Sequence, residues 1–172
     1  MALMFAPLVN KSVIKVKLIN HALGNDPWFP YYNFEAKPVP YDLVLEDPFF
    51  QWLHPRYKFL AGIIKLPPYT CYDWHVDTRR GVGINMLLQP EGSNLSRCMF
   101  AKEVQDASTK FMQLHYRPDT YYVFNTQKEH MVINFQKPRY MFSVEFLKGK
   151  DELSWNDLYK DIKENYEKNI TK

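Results

Sequence analysis

Residues 74–80 read WHVDTRR, a histidine and an aspartate two positions apart, set between an aromatic and two arginines. Alternate side chains of an extended strand share a face, so Tyr69, Cys71, Asp73, His75 and Asp77 fall on one side and Tyr72, Trp74 and Val76 on the other. His75 and Asp77 are then about 6 to 7 Å apart between Cα atoms, close enough for an imidazole and a carboxylate to converge on one metal ion. Cys71, roughly 13 Å from His75 along the same strand, is too far to be a fellow ligand. The alternative is purely structural: His75 hydrogen-bonds to Asp77 or Asp73 at the polar end of a strand.

A second group lies in EHMVINFQKPRYMFSVEF, residues 129–146. His130 begins an apolar-alternating strand, Gln136-Lys137-Pro138 makes a turn, and Arg139 opens another strand. On that strand Arg139, Met141, Ser143 and Glu145 share a face opposite Tyr140, Phe142, Val144 and Phe146. An unpaired buried guanidinium is costly, so Arg139 requires an anionic partner. That partner is either Glu145 or a carboxylate ligand held in the guanidinium's fork with the Ser143 hydroxyl nearby. Two histidines and one carboxylate, with other positions open, form the facial triad that suits non-haem Fe(II).

The combination of H-x-D, a histidine roughly fifty residues later and an arginine nine residues beyond that resembles the 2-oxoglutarate- and Fe(II)-dependent oxygenase superfamily. The segment EHMVINFQKPRYMFSVEF is similar to the distal-histidine and arginine segment of the aspartyl/asparaginyl β-hydroxylase-like members, whereas WHVDTRRGVGINMLL looks like the prolyl-hydroxylase-like H-x-D pattern. The resemblance covers about residues 60 to 147. It implies a double-stranded β-helix, a cupin-like jelly roll of two facing sheets with a metal near one mouth. It further implies that His75, Asp77 and His130 hold iron and that Arg139 binds the distal carboxylate of 2-oxoglutarate. Ser143 follows at a spacing of four rather than the family's two, so its residue type and face match but its register does not. Tyr69 and Asn85 are the further cosubstrate contacts that the resemblance suggests; an ordinary core tyrosine and an edge-strand asparagine are the alternatives. The implied activity is hydroxylation of a C–H bond with O2, releasing succinate and carbon dioxide.

These residues need a scaffold, and the pattern supplies one. Eight short β-like units run from FLAGIIKL at residue 59 to RYMFSVEF at residue 146, separated by turn chemistry at Pro67-Pro68, QPEGSN, DAST, RPDT and QKP. Strands of this number and spacing close into a barrel or two-sheet sandwich, with edges hidden. The expected organisation is one domain: an N-terminal arm and short helix over 1–55, a β-helix core over 56–148 and a C-terminal helix over 151–170. In the arm, VIKVKLI alternates like a strand, and LVLEDPFFQWLH could form a short helical face from Leu43, Leu45, Phe49, Phe50 and Leu53. Ser154 with Asp157 three residues on caps an amphipathic segment in which Trp155, Leu158, Tyr159, Ile162 and Tyr166 recur at helical spacing.

The 172 residues, 46% hydrophobic and 16% aromatic, carry enough apolar mass for a core. A net charge of +3, from interspersed basic and acidic residues, leaves no electrostatic footprint for nucleic acid. No stretch has the length of a membrane span or the layout of a secretion signal, so a soluble, cytoplasmic protein is expected. The two cysteines, Cys71 and Cys98, form no C-x-x-C pair and are expected reduced and partly buried. His115 is read as structural or solvent-facing, Trp28 and Trp74 as packing. One of Arg79 and Arg80 is expected at the site and the other in solvent. The expected partner is a small-molecule or peptide substrate. Two other readings use the same residues: a cupin-like metal protein without oxygenase activity, in which Arg139 pairs with Glu145, and a β-sandwich binding module with structural histidines.

Overall fold

The computed structural model describes residues 3–88, 96–105 and 108–170. Its elements are β1 (Phe5–Lys11), α1 (Lys15–Leu23), β2 (Phe29–Tyr31), β3 (Phe34–Pro38), α2 (Tyr41–Val44), α3 (Pro48–Leu53), β4 (Phe59–Leu66), β5 (Cys71–His75) and β6 (Gly83–Leu87). These are followed by β7 (Ser96–Gln105), β8 (Ser108–Leu114), β9 (Thr120–Phe124), β10 (His130–Asn134), β11 (Arg139–Phe146), α4 (Trp155–Asp161), a π-helical turn (Ile162–Glu167) and α5 (Lys168–Ile170). All eight strand units read from the sequence form strands, β4 to β11. The turns at QPEGSN and, in part, DAST lie outside the described residues.

Two antiparallel sheets face one another. One has the order β1-β9-β6-β11-β4-β3-β2 and the other β5-β10-β7-β8. The centre of the larger sheet is buried on both faces, which explains why β9 lacks a polar side: Tyr121 and Val123 enter a core under the helices, while Tyr122 and Phe124 enter the space between the sheets. β11 divides in the same way. Phe142, Val144 and Phe146 join the helix-side core, and Arg139, Met141, Ser143 and Glu145 face a cavity between the sheets.

The helices cover the outer face of the larger sheet. Asp47 caps α3 by accepting from the Phe49 N–H at 3.0 Å, Pro48 takes the first turn where its missing donor costs nothing, and Phe49, Phe50 and Leu53 are fully buried. Ser154 caps α4 as its spacing requires, and Trp155, Leu158, Ile162 and Tyr166 enter the same core. The Trp155 indole donates to the Val123 carbonyl at 3.0 Å, fixing the C-terminal segment to β9. Among the described residues no helix is long and apolar enough to cross a membrane.

The N-terminal region departs from the expected arm. VIKVKLI is mostly helix α1, because Ile14, Leu18 and Ala22 recur every fourth residue and are buried, while Val13 and Val16 are exposed. The short alternation of apolar and basic residues fits both periods, and burial against the core selects the helical one. The proline-rich stretch that follows contains the β2–β3 hairpin, which extends the larger sheet through β3 and β4.

Candidate metal centre

His75 and His130 are directly opposed where β5 pairs with β10. Their ring centroids are 4.2 Å apart. Each ring has its Nδ1 on a backbone carbonyl two residues back: His75 on Asp73 at 2.6 Å, His130 on Lys128 at 2.8 Å. A carbonyl can only accept, so both Nδ1 atoms carry the proton and both Nε2 atoms present lone pairs. Asp77 completes the group, its Oδ1 lying 3.8 Å from His75 Nε2, and one ligand atom from each of the three residues lies within 4.8 Å of the others. Burial among Phe124 and Phe100 pushes the His130 imidazole down to about 4, keeping it neutral and available as a ligand.

The loop that carries Asp77 is held from two sides. The Asp77 N–H donates to the Thr126 carbonyl at 3.0 Å, and Gln127 Nε2 donates to the carbonyls of Asp77 and Arg80 at 2.8 and 2.7 Å. On its other side Gly81 approaches the turn before α4 so closely that a Cβ would stand 2.4 Å from the Leu153 carbonyl oxygen. Glycine is therefore required there for backbone contact. Arg80 donates from Nε and Nη2 to Asp77 Oδ2 at 2.8 and 2.6 Å, leaving Oδ1 toward the histidines. This assigns the two arginines: Arg80 braces a candidate ligand, whereas Arg79 also borders the cavity but is exposed.

Strand parity around His75 differs from the expected alternation. His130 opposes His75 and Val132 opposes Tyr72, so two steps on β10 match three on β5. This bulge puts Tyr72, not Asp73 or Cys71, beside His75, with ring centroids 4.0 Å apart. Cys71 and Asp73 are exposed. Tyr69 lies beyond the strand in a turn, with a φ of 53° and 77% exposure, and it does not border the cavity. The cosubstrate contact expected of Tyr69 is thus replaced by a solvent position: the chain turns after Pro68 instead of extending β5 backwards.

The cavity, about 490 Å³, runs from the histidines to Arg139. Arg139 is 7% exposed; its Nε donates to Ser96 Oγ at 3.2 Å, and its guanidinium carbon lies 5.8 Å from the centre of the Tyr116 ring. Among the described residues no carboxylate lies within ion-pair distance of it, and Glu145, the structural alternative for its partner, receives instead a long hydrogen bond from the Tyr31 hydroxyl at 3.4 Å. Ser143 and Asn85 are paired across β11 and β6 and both border the cavity. Asn85 Oδ1 is buried without a hydrogen-bond donor, an orphaned acceptor on the cavity wall.

The sequence reading missed Ser96 and Tyr116, which touch the guanidinium, and Tyr72, which touches His75. Tyr116 stands next to exposed His115 and carried no spacing signal; Tyr72 was assigned to the wrong face by a bulge that no residue type announces. Trp28 packs under Lys37 and Lys65, away from the cavity.

No family model and no curated protein matches the sequence. Solved structures do. A prolyl-4-hydroxylase from Pseudomonas putida is similar at a TM-score of 0.58 and 12% identity, covering 84% of this chain and 92% of that one. A prolyl hydroxylase from Trichoplax adhaerens, in complex with a hypoxia inducible factor oxygen degradation domain peptide fragment, reaches 0.60 at 12% identity, covering 83% of each chain. EvdO2 from Micromonospora carbonacea var. aurantiaca, complexed with 2-oxoglutarate, reaches 0.56 at 15% identity, with 83% and 85% covered. At these identities the likeness is one of fold: the chain is a double-stranded β-helix, built like those of 2-oxoglutarate- and Fe(II)-dependent oxygenases.

Proposed function

We propose that this chain is an Fe(II)- and 2-oxoglutarate-dependent dioxygenase that hydroxylates a C–H bond of a small molecule or peptide side chain. The observation that carries the reading is that a His-Asp-His cluster and a buried arginine with no acidic partner among the described residues border one cavity. The donor set fits the metal: two neutral imidazole nitrogens and one carboxylate oxygen suit non-haem Fe(II) and leave positions open. The cavity fits a dicarboxylate. A buried guanidinium is a poor stability element on its own but a ready partner for a carboxylate, and the Asn85 oxygen and Ser143 hydroxyl add polar contacts on the same wall.

His75, Asp77 and His130 would hold the iron, and Arg139 would clasp the distal carboxylate of 2-oxoglutarate. When bound, the metal, the cosubstrate and O2 supply the oxidising chemistry of R–H + 2-oxoglutarate + O2 → R–OH + succinate + CO2. The chain's own groups orient and shield. The carbonyls of Asp73 and Lys128 hold both imidazoles in the Nδ1–H tautomer, Arg80 restrains Asp77 to one free oxygen, and Ser96 and Tyr116 aim the Arg139 guanidinium. Phe100, Phe124 and Val132 keep the metal side apolar and exclude water. The peptide bound to the Trichoplax relative supports an exposed side chain as one kind of substrate. The test is oxygen-dependent succinate formation by the iron-loaded protein across amino acids, peptides and nucleotides. Succinate above the iron-free background supports the reading, and its absence with every candidate, including slow uncoupled turnover, contradicts it.

A further inference from the structure

The cavity has two ends of opposite charge on one strand. Arg139 and Glu145 face it from the same side of β11, six residues and so roughly 20 Å apart. If Arg139 receives the cosubstrate, Glu145 belongs to whatever else the cavity holds. Glu145 is half-buried, and among the described residues no lysine, arginine or histidine nitrogen lies within ion-pair distance of it. Of the basic side chains bordering the cavity, Arg80 is committed to Asp77 through two nitrogens.

Beside Glu145 lies a row of aromatic rings. Tyr31 and Tyr32 meet edge to face at 4.9 Å, Tyr31 and Phe34 are 5.9 Å apart, Phe34 and Tyr72 meet edge to face at 5.0 Å, and Tyr72 rests on His75 at 4.0 Å. The row runs from the β2–β3 hairpin to the candidate metal ligands, and every ring of it borders the cavity. Tyr31, Phe34 and Tyr72 thus give this end of the cavity an aromatic wall, and aromatic rings attract cations, most strongly where water is excluded. A carboxylate at the rim of such a set adds a counter-charge that an apolar or anionic guest would leave unpaired.

We infer that the second guest of this cavity carries a cationic nitrogen, an alkylated or quaternary ammonium group, seated against Tyr31, Phe34 and Tyr72 with Glu145 as its counter-ion. As a statement about the substrate, this rests on the oxygenase reading. As a binding property of the cavity it does not, and it is tested without iron or 2-oxoglutarate.

The experiment is an NMR-detected titration of the metal-free protein with three probes of one shape: choline, its uncharged carbon analogue 3,3-dimethylbutan-1-ol, and the anion 3,3-dimethylbutanoate. Choline is expected to bind about tenfold more tightly than the alcohol, and the anion most weakly at this end of the cavity. Glu145→Gln is expected to reduce the preference to within about twofold, while Tyr31→Phe, which keeps the ring, retains most of it. Should Glu145→Gln melt early, Tyr72→Leu takes its place, since loss of that ring must also lower choline affinity. Equal binding of choline and the alcohol, no binding of choline, or a preference unchanged in Glu145→Gln overturns the inference. Anion binding at Arg139 is expected and is told apart by the residues whose signals shift; tightest binding of the anion with shifts centred on Tyr31 and Glu145 overturns the inference. Failure here leaves iron and 2-oxoglutarate binding unaffected, so the two readings stand or fall apart.

Discussion

His75 and His130 oppose each other across two antiparallel strands, each with its Nδ1 proton on a backbone carbonyl two residues back and its Nε2 turned to the same point. Cross-strand opposition is a rigid way to bring together residues far apart in sequence, because the ladder fixes both backbones. Asp77 reaches the same point from the loop after β5, and it depends on Arg80, Thr126 and Gln127 for its place. Removal of any of the three ligands should therefore act on metal binding first and on folding second. His75→Ala, Asp77→Ala and His130→Ala are each expected to abolish succinate formation and to weaken Fe(II) binding by more than about 100-fold, the upper range for outer contacts. Calorimetric metal titration checks this.

Arg80→Met removes a brace rather than a ligand. It should lower Fe(II) affinity by about 10- to 100-fold. Turnover should return at high Fe(II), which distinguishes positioning from ligation.

Arg139→Met separates cosubstrate binding from metal binding. Loss of a charge-assisted carboxylate clasp should raise the 2-oxoglutarate requirement at least about 30-fold, equivalent to about 2 kcal/mol, with Fe(II) affinity unchanged. Because the buried guanidinium has no acidic partner among the described residues, the variant should melt no lower than the parent in the absence of 2-oxoglutarate. It should also lose the thermal shift that 2-oxoglutarate gives the parent.

His130 predicts the pH dependence of the metal-free protein. Its imidazole is pushed down from 6.5 to about 4 by burial, so between these values the unfolded chain binds a proton that the folded one refuses. Stability thus rises with pH across that window: it is fully present above about 6.5 and falls as the pH drops toward about 4. Urea melts at pH 7 and pH 5 should differ by an amount on the order of 1 to 2 kcal/mol, and His130→Gln should flatten the difference.

The eight core strands and the alternation of β11 were legible because turn residues separate the strands and polar residues mark one face of β11, whereas the order in which the strands pair was not. Arg139, Met141, Ser143 and Glu145 share their face as read, and Ser143 with Asn85 borders the cavity. What the alternation could not carry was a local change of register. One extra residue in β5 exchanged Tyr72 for Asp73 and Cys71 beside His75, and a left-handed residue at Tyr69 turned the chain outward. Helix α1 was hidden for a related reason, since a short basic-apolar alternation fits two periods and only the core under it decides. The partners of Arg139 came from β7 and the loop after β8, distant segments whose approach no spacing in the sequence encodes.

The most direct test of a metal centre and a cosubstrate site sharing one cavity is optical. Fe(II) is added without oxygen to the protein holding 2-oxoglutarate, and the visible spectrum is followed. A weak metal-to-ligand charge-transfer band is expected, saturating at one iron per chain, absent from His130→Ala and needing far more 2-oxoglutarate in Arg139→Met. Iron bound with no band at saturating 2-oxoglutarate would contradict the account and leave a metal protein of another kind.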